Sequence, residues 1–290
     1  MAEQEVLILR CGRYLDSAKI VTFFSLEGGR TAGFARGATA RDNRFGASLE
    51  PLTRSRLSLR RATFSGLVRI LHADVIDSYP RLRSDYDRLI WAGLVVRFLL
   101  GFLPDHHPEP ALFRLACEAL GGLDREGGLP GEHWEDFARE ALALLGWGIP
   151  EALCRRCGLA GGQGSSQGPI SPEMFFFRLA DGAVLCQRCR LADSGGDLWA
   201  VEPEILNHLS QRQGVGGTGE GHGRGSPPLR ERLGFLDRVI GGHLPRWTAV
   251  ADLTFVGREG GLGKRGGGAP PGSEDEEVDA DGGREHDQRT

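Results

Sequence analysis

The sequence predicts an α+β multidomain protein: a small β-barrel at the N-terminus, then an α-helical domain with an embedded four-cysteine metal module. Three observations lead there. Apolar residues follow a period of two through residues 1–80, the period then changes to the helical one, and two C-x2-C pairs follow the third predicted helix.

The strands come first. Val6 and Ile8, with alternating neighbours, make a first strand, and Ala18 to Phe24 a second. Glu27-Gly28-Gly29-Arg30 is a turn, because paired glycines supply the positive φ angles a hairpin needs. Thr31 to Arg36 returns as a third strand, Leu52 to Leu59 alternates as a fourth, and Phe64 to His72 is a fifth. Five short strands suggest a closed or sandwich-like barrel.

The helices follow. Ser84 is the expected N-cap of a broad apolar helix carrying Leu89, Ile90, Leu94, Val95, Phe98 and Phe102 and ended by Pro104. A second helix is predicted from Glu109 to Leu120, closed by Gly121-Gly122, and a third from His133 to Leu145. Beyond the first cysteine pair lie a Gly/Ser/Gln loop and a short apolar strand, Met174 to Phe177. After the second pair come a helix over Pro203 to Gln211, a Gly-rich stretch at 214–228 and a helix from Leu229 to Ile240. Beyond Phe255 the composition is Gly, Pro and acid, for which disorder is expected. The implied domains are 1–80, 81–256 and a 257–290 tail.

The longest apolar run, Leu89 to Leu103, is broken by Arg97, so no membrane helix is expected, and the N-terminus lacks the basic and apolar regions of a secretory signal. The expected compartment is the cytoplasm. Cysteine pairs in such a chain point to metal more than to disulfides. Of the two remaining cysteines, Cys117 belongs to an apolar helix series and is expected to pack, while Cys11 is a free thiol near a strand end.

Cys154, Cys157, Cys186 and Cys189 are the expected ligands of one structural Zn2+ ion, because four thiolates satisfy its tetrahedral shell. The 28 residues between Cys157 and Cys186 exceed the usual ribbon spacing, and the Gly-rich loop at 158–168 accounts for the excess. An iron–sulfur cluster and a redox C-x-x-C pair are weaker alternatives. His133-Trp134-Glu135 ahead of Cys154-x2-Cys157 imitates a zinc deaminase signature, but Leu153 stands where that signature has proline and the second pair would go unexplained. No phosphate loop, nucleophile elbow or H-E-x-x-H occurs, so the chain reads as a non-enzyme.

The net charge of −4 conceals an asymmetry: residues 1–80 hold 12 Lys/Arg against 8 Asp/Glu, a net of +4, while six acids crowd 274–281. Lys19, Arg36, Arg41, Arg44, Arg54, Arg56, Arg60 and Arg61 form the candidate nucleic-acid face. Arg54 and Arg56 project from one side of a strand and Leu57 and Leu59 from the other. Phe34, Phe45 and Phe64 are available for base stacking. The plain alternative is a solvated basic surface over core phenylalanines.

The chain resembles the RecO family of bacterial recombination mediators. The likeness is carried by Tyr14-Leu15-Asp16-Ser17-Ala18-Lys19-Ile20-Val21-Thr22-Phe23-Phe24, by Ala35-Arg36-Gly37-Ala38, by Arg44-Phe45-Gly46-Ala47-Ser48-Leu49-Glu50-Pro51, and by the junction from Leu144-Leu145-Gly146-Trp147 to Cys154-x2-Cys157-Gly158. It covers residues 5 to about 245. The resemblance implies an N-terminal OB-fold and a helical domain holding a zinc finger. It further implies binding of single- and double-stranded DNA, annealing of complementary strands, and loading of RecA onto strands coated by single-strand binding protein. RecR and that protein's C-terminal tail would be partners, RecF an indirect one. Arg36, Arg41 and Arg44 correspond to basic positions near the family's DNA face. Thr39-Ala40 stands where a basic pair is common. The competing readings are a zinc-ribbon transcription or translation factor and, more remotely, a zinc hydrolase or deaminase.

Overall fold

The computed structural model describes residues 2–14, 16–40, 43–61, 67–125, 127–161, 174–193, 195–211, 226–244 and 247. Five strands, β1 (Ala2–Tyr14), β2 (Ala18–Ser25), β3 (Gly29–Arg36), β4 (Arg54–Arg61) and β5 (Val68–Asp77), close a barrel in the order β1-β2-β3-β5-β4. All pairings are antiparallel except β3 with β5, which meet in parallel at Gly33–Val68 and Phe34–Arg69. This is the closed five-stranded barrel that the strand count allowed, and the OB-type architecture that the resemblance implied.

Val6, Leu7, Ile8 and Leu9 are all buried, although a strand turns successive side chains to opposite sides. Val6 and Ile8 enter the barrel interior with Val21, Phe23, Leu57 and Ile70. Leu7 and Leu9 face outward, where Phe24 and Leu52 join them in the core of the helical region. Phe24 meets Phe113 edge-on at 5.5 Å, so one strand pair serves two cores.

Helices α1 (Pro80–Ser84), α2 (Tyr86–Phe102), α3 (Pro110–Asp124) and α4 (Pro130–Leu144) follow. Ser84 ends α1 rather than capping α2. The cap is Asp85, whose carboxylate accepts hydrogen bonds from the backbone N–H groups of Asp87 and Arg88. Proline opens α1, α3 and α4, where its missing N–H has no helical partner to lose. The expected stop at Gly121-Gly122 is also corrected, for α3 runs through both. A Cβ on Gly122 would lie 3.0 Å from the His133 imidazole, so the glycine admits α4 close against α3.

Strands β6 (Phe175–Arg178), β7 (Ala183–Cys186) and β8 (Leu198–Val201) form a sheet in the order β7-β6-β8. The short α5 (Gln187–Arg190) follows β7, and α6 (Pro203–Ser210) and α7 (Leu229–His243) complete the described fold. The expected strand at 174–177 is therefore one of three. Phe175, Phe177, Val184 and Val201 belong to the same core as the helices, and Phe177 packs edge-on against Phe235 of α7 at 5.3 Å. The candidate residues Arg41 and Phe64, most of the Gly-rich stretch and the acidic tail lie outside the described residues. No described helix is long and apolar enough to cross a membrane.

Candidate metal centre and nucleic-acid face

The four cysteines come together from two local structures. In the first knuckle, Gly158 adopts φ +72° and donates its N–H to the Cys154 carbonyl at 2.8 Å, folding the chain back so that Cys154 N–H reaches the Leu159 carbonyl at 2.8 Å. In the second, Cys186 ends β7 and Cys189 sits one turn into α5. Arg155 N–H donates to the Val184 carbonyl at 2.8 Å, which ties the first knuckle to the strand of the second.

All four Sγ atoms lie within 4.8 Å of one another, and Cys157 Sγ is 3.7 Å from Cys186 Sγ. A tetrahedron of thiolates about 2.3 Å from a metal has sulfurs roughly 3.8 Å apart, so the cluster has the dimensions of a four-thiolate site. Cys154, Cys186 and Cys189 are buried and Cys157 is exposed. Burial opposes a charge on Cys154, but backbone N–H groups of Cys186, Cys157 and Arg156 outweigh it and bring its pKa to about 6. Burial, followed by hydrogen bonds from the neighbouring thiols, pushes Cys189 up to about 12. A divalent cation binding there would displace the thiol protons.

Around the cluster, Arg178 holds Asp181 at 2.9 Å and Asp193 at 2.7 Å, closing the β6–β7 hairpin onto the chain beyond α5. The Arg178 hydrogen bonds hold the Asp181 carboxyl down at about 2. Arg155 adds a second ion pair to Asp181 at 2.9 Å.

On the barrel, the alternation expected for β4 is present: Leu57 and Leu59 point inward, Arg56 and Arg60 outward. The basic residues divide by their partners. Lys19 is paired with Glu50 at 2.7 Å and Arg54 with Glu5 at 2.6 Å. Arg56 stands in register between Glu5 and Asp74. Arg36 and Arg60 are exposed and form no ion pair among the described residues. Arg44 lies over the Phe45 ring, 4.9 Å from its centroid. Arg61 ends β4. Phe45 is 3 % exposed inside the barrel, so it is core and not a stacking surface.

The family model described as "Recombination protein O N terminal" matches residues 1–79, and "Recombination protein O C terminal" matches 83–202. "DNA repair protein RecO" of Geobacter sulfurreducens is 32% identical over 244 residues, covering 83% of this chain and 92% of the relative. The chain belongs to the RecO family. Its likeness to the proteins of the same name from Geobacter metallireducens, 32% over 243 residues, and Anaeromyxobacter sp. (strain Fw109-5), 30% over 245 residues, has similar coverage.

In this RecO chain the deaminase-like trio has another use. Glu135 is buried in α4 and bonded to Arg232 of α7 at 2.8 Å and to His208 of α6 at 3.1 Å. His133 packs beside Gly122 and Gly128, and burial lowers its pKa. Among the described residues, the grouping of potential ligands that could hold a metal is the four cysteines. Residue reading missed Arg69, which faces Arg60 across β4 and β5. The alternation Val68-Arg69-Ile70 was visible, but the cross-strand partner was not.

Proposed function

We propose that this protein is a DNA-repair recombination mediator that acts without catalysing a covalent step. It binds single- and double-stranded DNA on the barrel, anneals complementary strands, and helps load RecA onto strands coated by single-strand binding protein. RecR and that protein's tail are direct partners and RecF an indirect one, in the cytoplasm at the nucleoid. The observation that carries this reading is the exposed arginine surface of the barrel, on a chain of the RecO family. Phosphate recognition uses Arg36, Arg44, Arg60 and, by sequence, Arg41 and Arg61. Lys19, Arg54 and Arg56 contribute less, since acids already compete for them. Such binding releases counterions and weakens steeply with salt.

The metal is zinc, for which an all-thiolate set is well suited. Bound there, it would be held by Cys154, Cys157, Cys186 and Cys189 with no position for water, and would stabilise the knuckles rather than activate a nucleophile.

The test is annealing of unrelated complementary strands across a salt titration. A mediator accelerates annealing regardless of sequence, and Arg36→Glu with Arg60→Glu removes the acceleration while the melting temperature is retained. Binding confined to one sequence or to structured RNA would instead identify a zinc-ribbon transcription or translation factor. Unchanged DNA affinity in the double variant would overturn the proposed face.

A further inference from the structure

Register places an aromatic pair beside the barrel's unpaired arginines. Across β4, β5 and β3, Arg60 is opposite Arg69, and Arg69 is in turn opposite Phe34. Continuing through β2 to β1, Phe34 is opposite Ile20, and Ile20 opposite Gly12. Residues directly opposite share a face, and here it is the outer one, since Arg60, Arg69 and Gly12 are exposed while Gly33, beside Phe34, points into Ile70 and Phe23. Tyr14, at the end of β1, is 45% exposed and stands edge-on to Phe34, with centroids 5.8 Å apart and planes at 88°.

Two features make this strip unlike an ordinary solvated strand surface. Like charges directly opposite each other destabilise a sheet, yet Arg60 and Arg69 have neither an intervening acid nor an ion pair among the described residues. An anion between them would remove that repulsion. The aromatic pair, in turn, is not part of the core that buries Phe24 of the β2–β3 hairpin with the helices. Ile20 stands directly opposite Phe34, the positions around the two are small (Ala18, Thr22 and Ala32), and a Cβ added at Gly12 would meet nothing within 4 Å.

We propose that Phe34 and Tyr14 form a base-stacking platform and Arg60 with Arg69 a phosphate clamp, together a subsite for unpaired nucleotides that would favour single strands over duplex. The proposal rests on the barrel being the nucleic-acid face. A base in a duplex is covered on both faces by its neighbours, whereas an unpaired base offers its ring to Phe34 while the next phosphate bridges the two guanidinium groups. Arg36, on the same face of β3 as Phe34, extends the phosphate track.

The experiment compares the full-length protein with Phe34→Leu, Gly12→Leu and Arg60→Gln/Arg69→Gln. Each is titrated with a fluorescein-labelled mixed-sequence single strand, an abasic single strand of the same length, and the matching duplex. Phe34→Leu is expected to weaken binding of the base-bearing strand about tenfold, the scale of one lost stack, while changing abasic and duplex binding less than about twofold. Gly12→Leu adds bulk at the edge of the platform, where a Cβ meets no neighbour within 4 Å, so it produces the same selective loss through an unrelated side chain. The double arginine variant weakens all three ligands. If it does so but Phe34→Leu and Gly12→Leu leave the single-strand to duplex ratio unchanged at native melting temperature, the platform is overturned and the barrel face survives. If the double variant weakens none of them, the barrel face and the platform both fail.

Discussion

The barrel and the cysteine module reach stability by opposite routes. The barrel closes on itself, so every strand has two neighbours, and Val21, Phe23, Leu57 and Ile70 fill its interior. It can therefore leave arginines on its outer surface without a structural partner. The cysteine module has three strands of four residues each and one turn of helix, too little to pay for its own ordering. It is held from outside its own hydrogen bonds: by packing of Phe175, Phe177, Val184 and Val201 into the core of the helices, by the four clustered sulfurs, and by the Arg178 bonds to Asp181 and Asp193. Arg36 and Arg60 of the barrel form no ion pair among the described residues, whereas Arg155 and Arg178 of the module are paired with Asp181 and Asp193.

The strongest way to break the contrast is at the sulfurs. Cys154→Ser with Cys189→Ser should abolish stoichiometric zinc, read by metal analysis, and lower stability by on the order of 5 kcal/mol in a denaturant melt. Below the new melting point, single-strand affinity should change less than about threefold, because the barrel does not use the module. A parallel collapse of DNA binding would show that the two regions are one functional unit.

Gly29→Ala probes the barrel's seam with the helices. Gly29 has φ +69°, and an added Cβ would fall 2.2 Å from the His107 carbonyl oxygen, beside the Arg30–Asp105 ion pair at 2.7 Å. A loss of about 2–4 kcal/mol is expected from conformational strain and displacement of the 104–109 loop, checked by thermal unfolding. Arg60→Gln with Arg69→Gln should act in two directions. Relief of repulsion raises stability by a few tenths of a kcal/mol, while the slope of log affinity against log salt falls by about one per lost phosphate contact.

The smallest effect concerns pH. Asp181 is held at about 2, below its ordinary value of 3.8, so the stability it lends is complete above that ordinary value and is lost as pH falls toward 2. Asp181→Asn should remove this acid-dependent component, at most about 1 kcal/mol for so exposed a pair. Protection of β6 and β7 amides from hydrogen exchange at pH 5, against wild type, is the measurement. Equal protection would place the module's cohesion in the sulfurs alone.

Much of this was legible locally. The strands of the barrel follow from alternation, and the clustering of the four cysteines from two C-x2-C pairs. Errors arose where a residue's role depends on something distant in sequence. Ser84 and Asp85 are both good caps, and the choice between them was decided by Pro80, which starts a short helix that Ser84 ends. Two adjacent glycines ordinarily stop a helix, but α3 continues because Gly122 is where α4 approaches it. The module's outer strands, β7 and β8, are too short to show a period and exist through pairing with β6. The arginines were counted correctly as a cluster, yet counting could not reveal that Glu5 and Glu50 already hold two of the eight basic candidates.

The double duty of β1 bears on how this chain is made. Val6 and Ile8 can be buried once the five strands have emerged from the ribosome, but Leu7 and Leu9 find their neighbours only when α2 and α3 follow. β1 is thus synthesised before the helices that share its outer core, and stays partly uncovered until they emerge. A product truncated near residue 78 would carry Leu7, Leu9 and Phe24 on its surface and be prone to self-association. Fragments intended to isolate the barrel should therefore extend through Asp124, the end of α3.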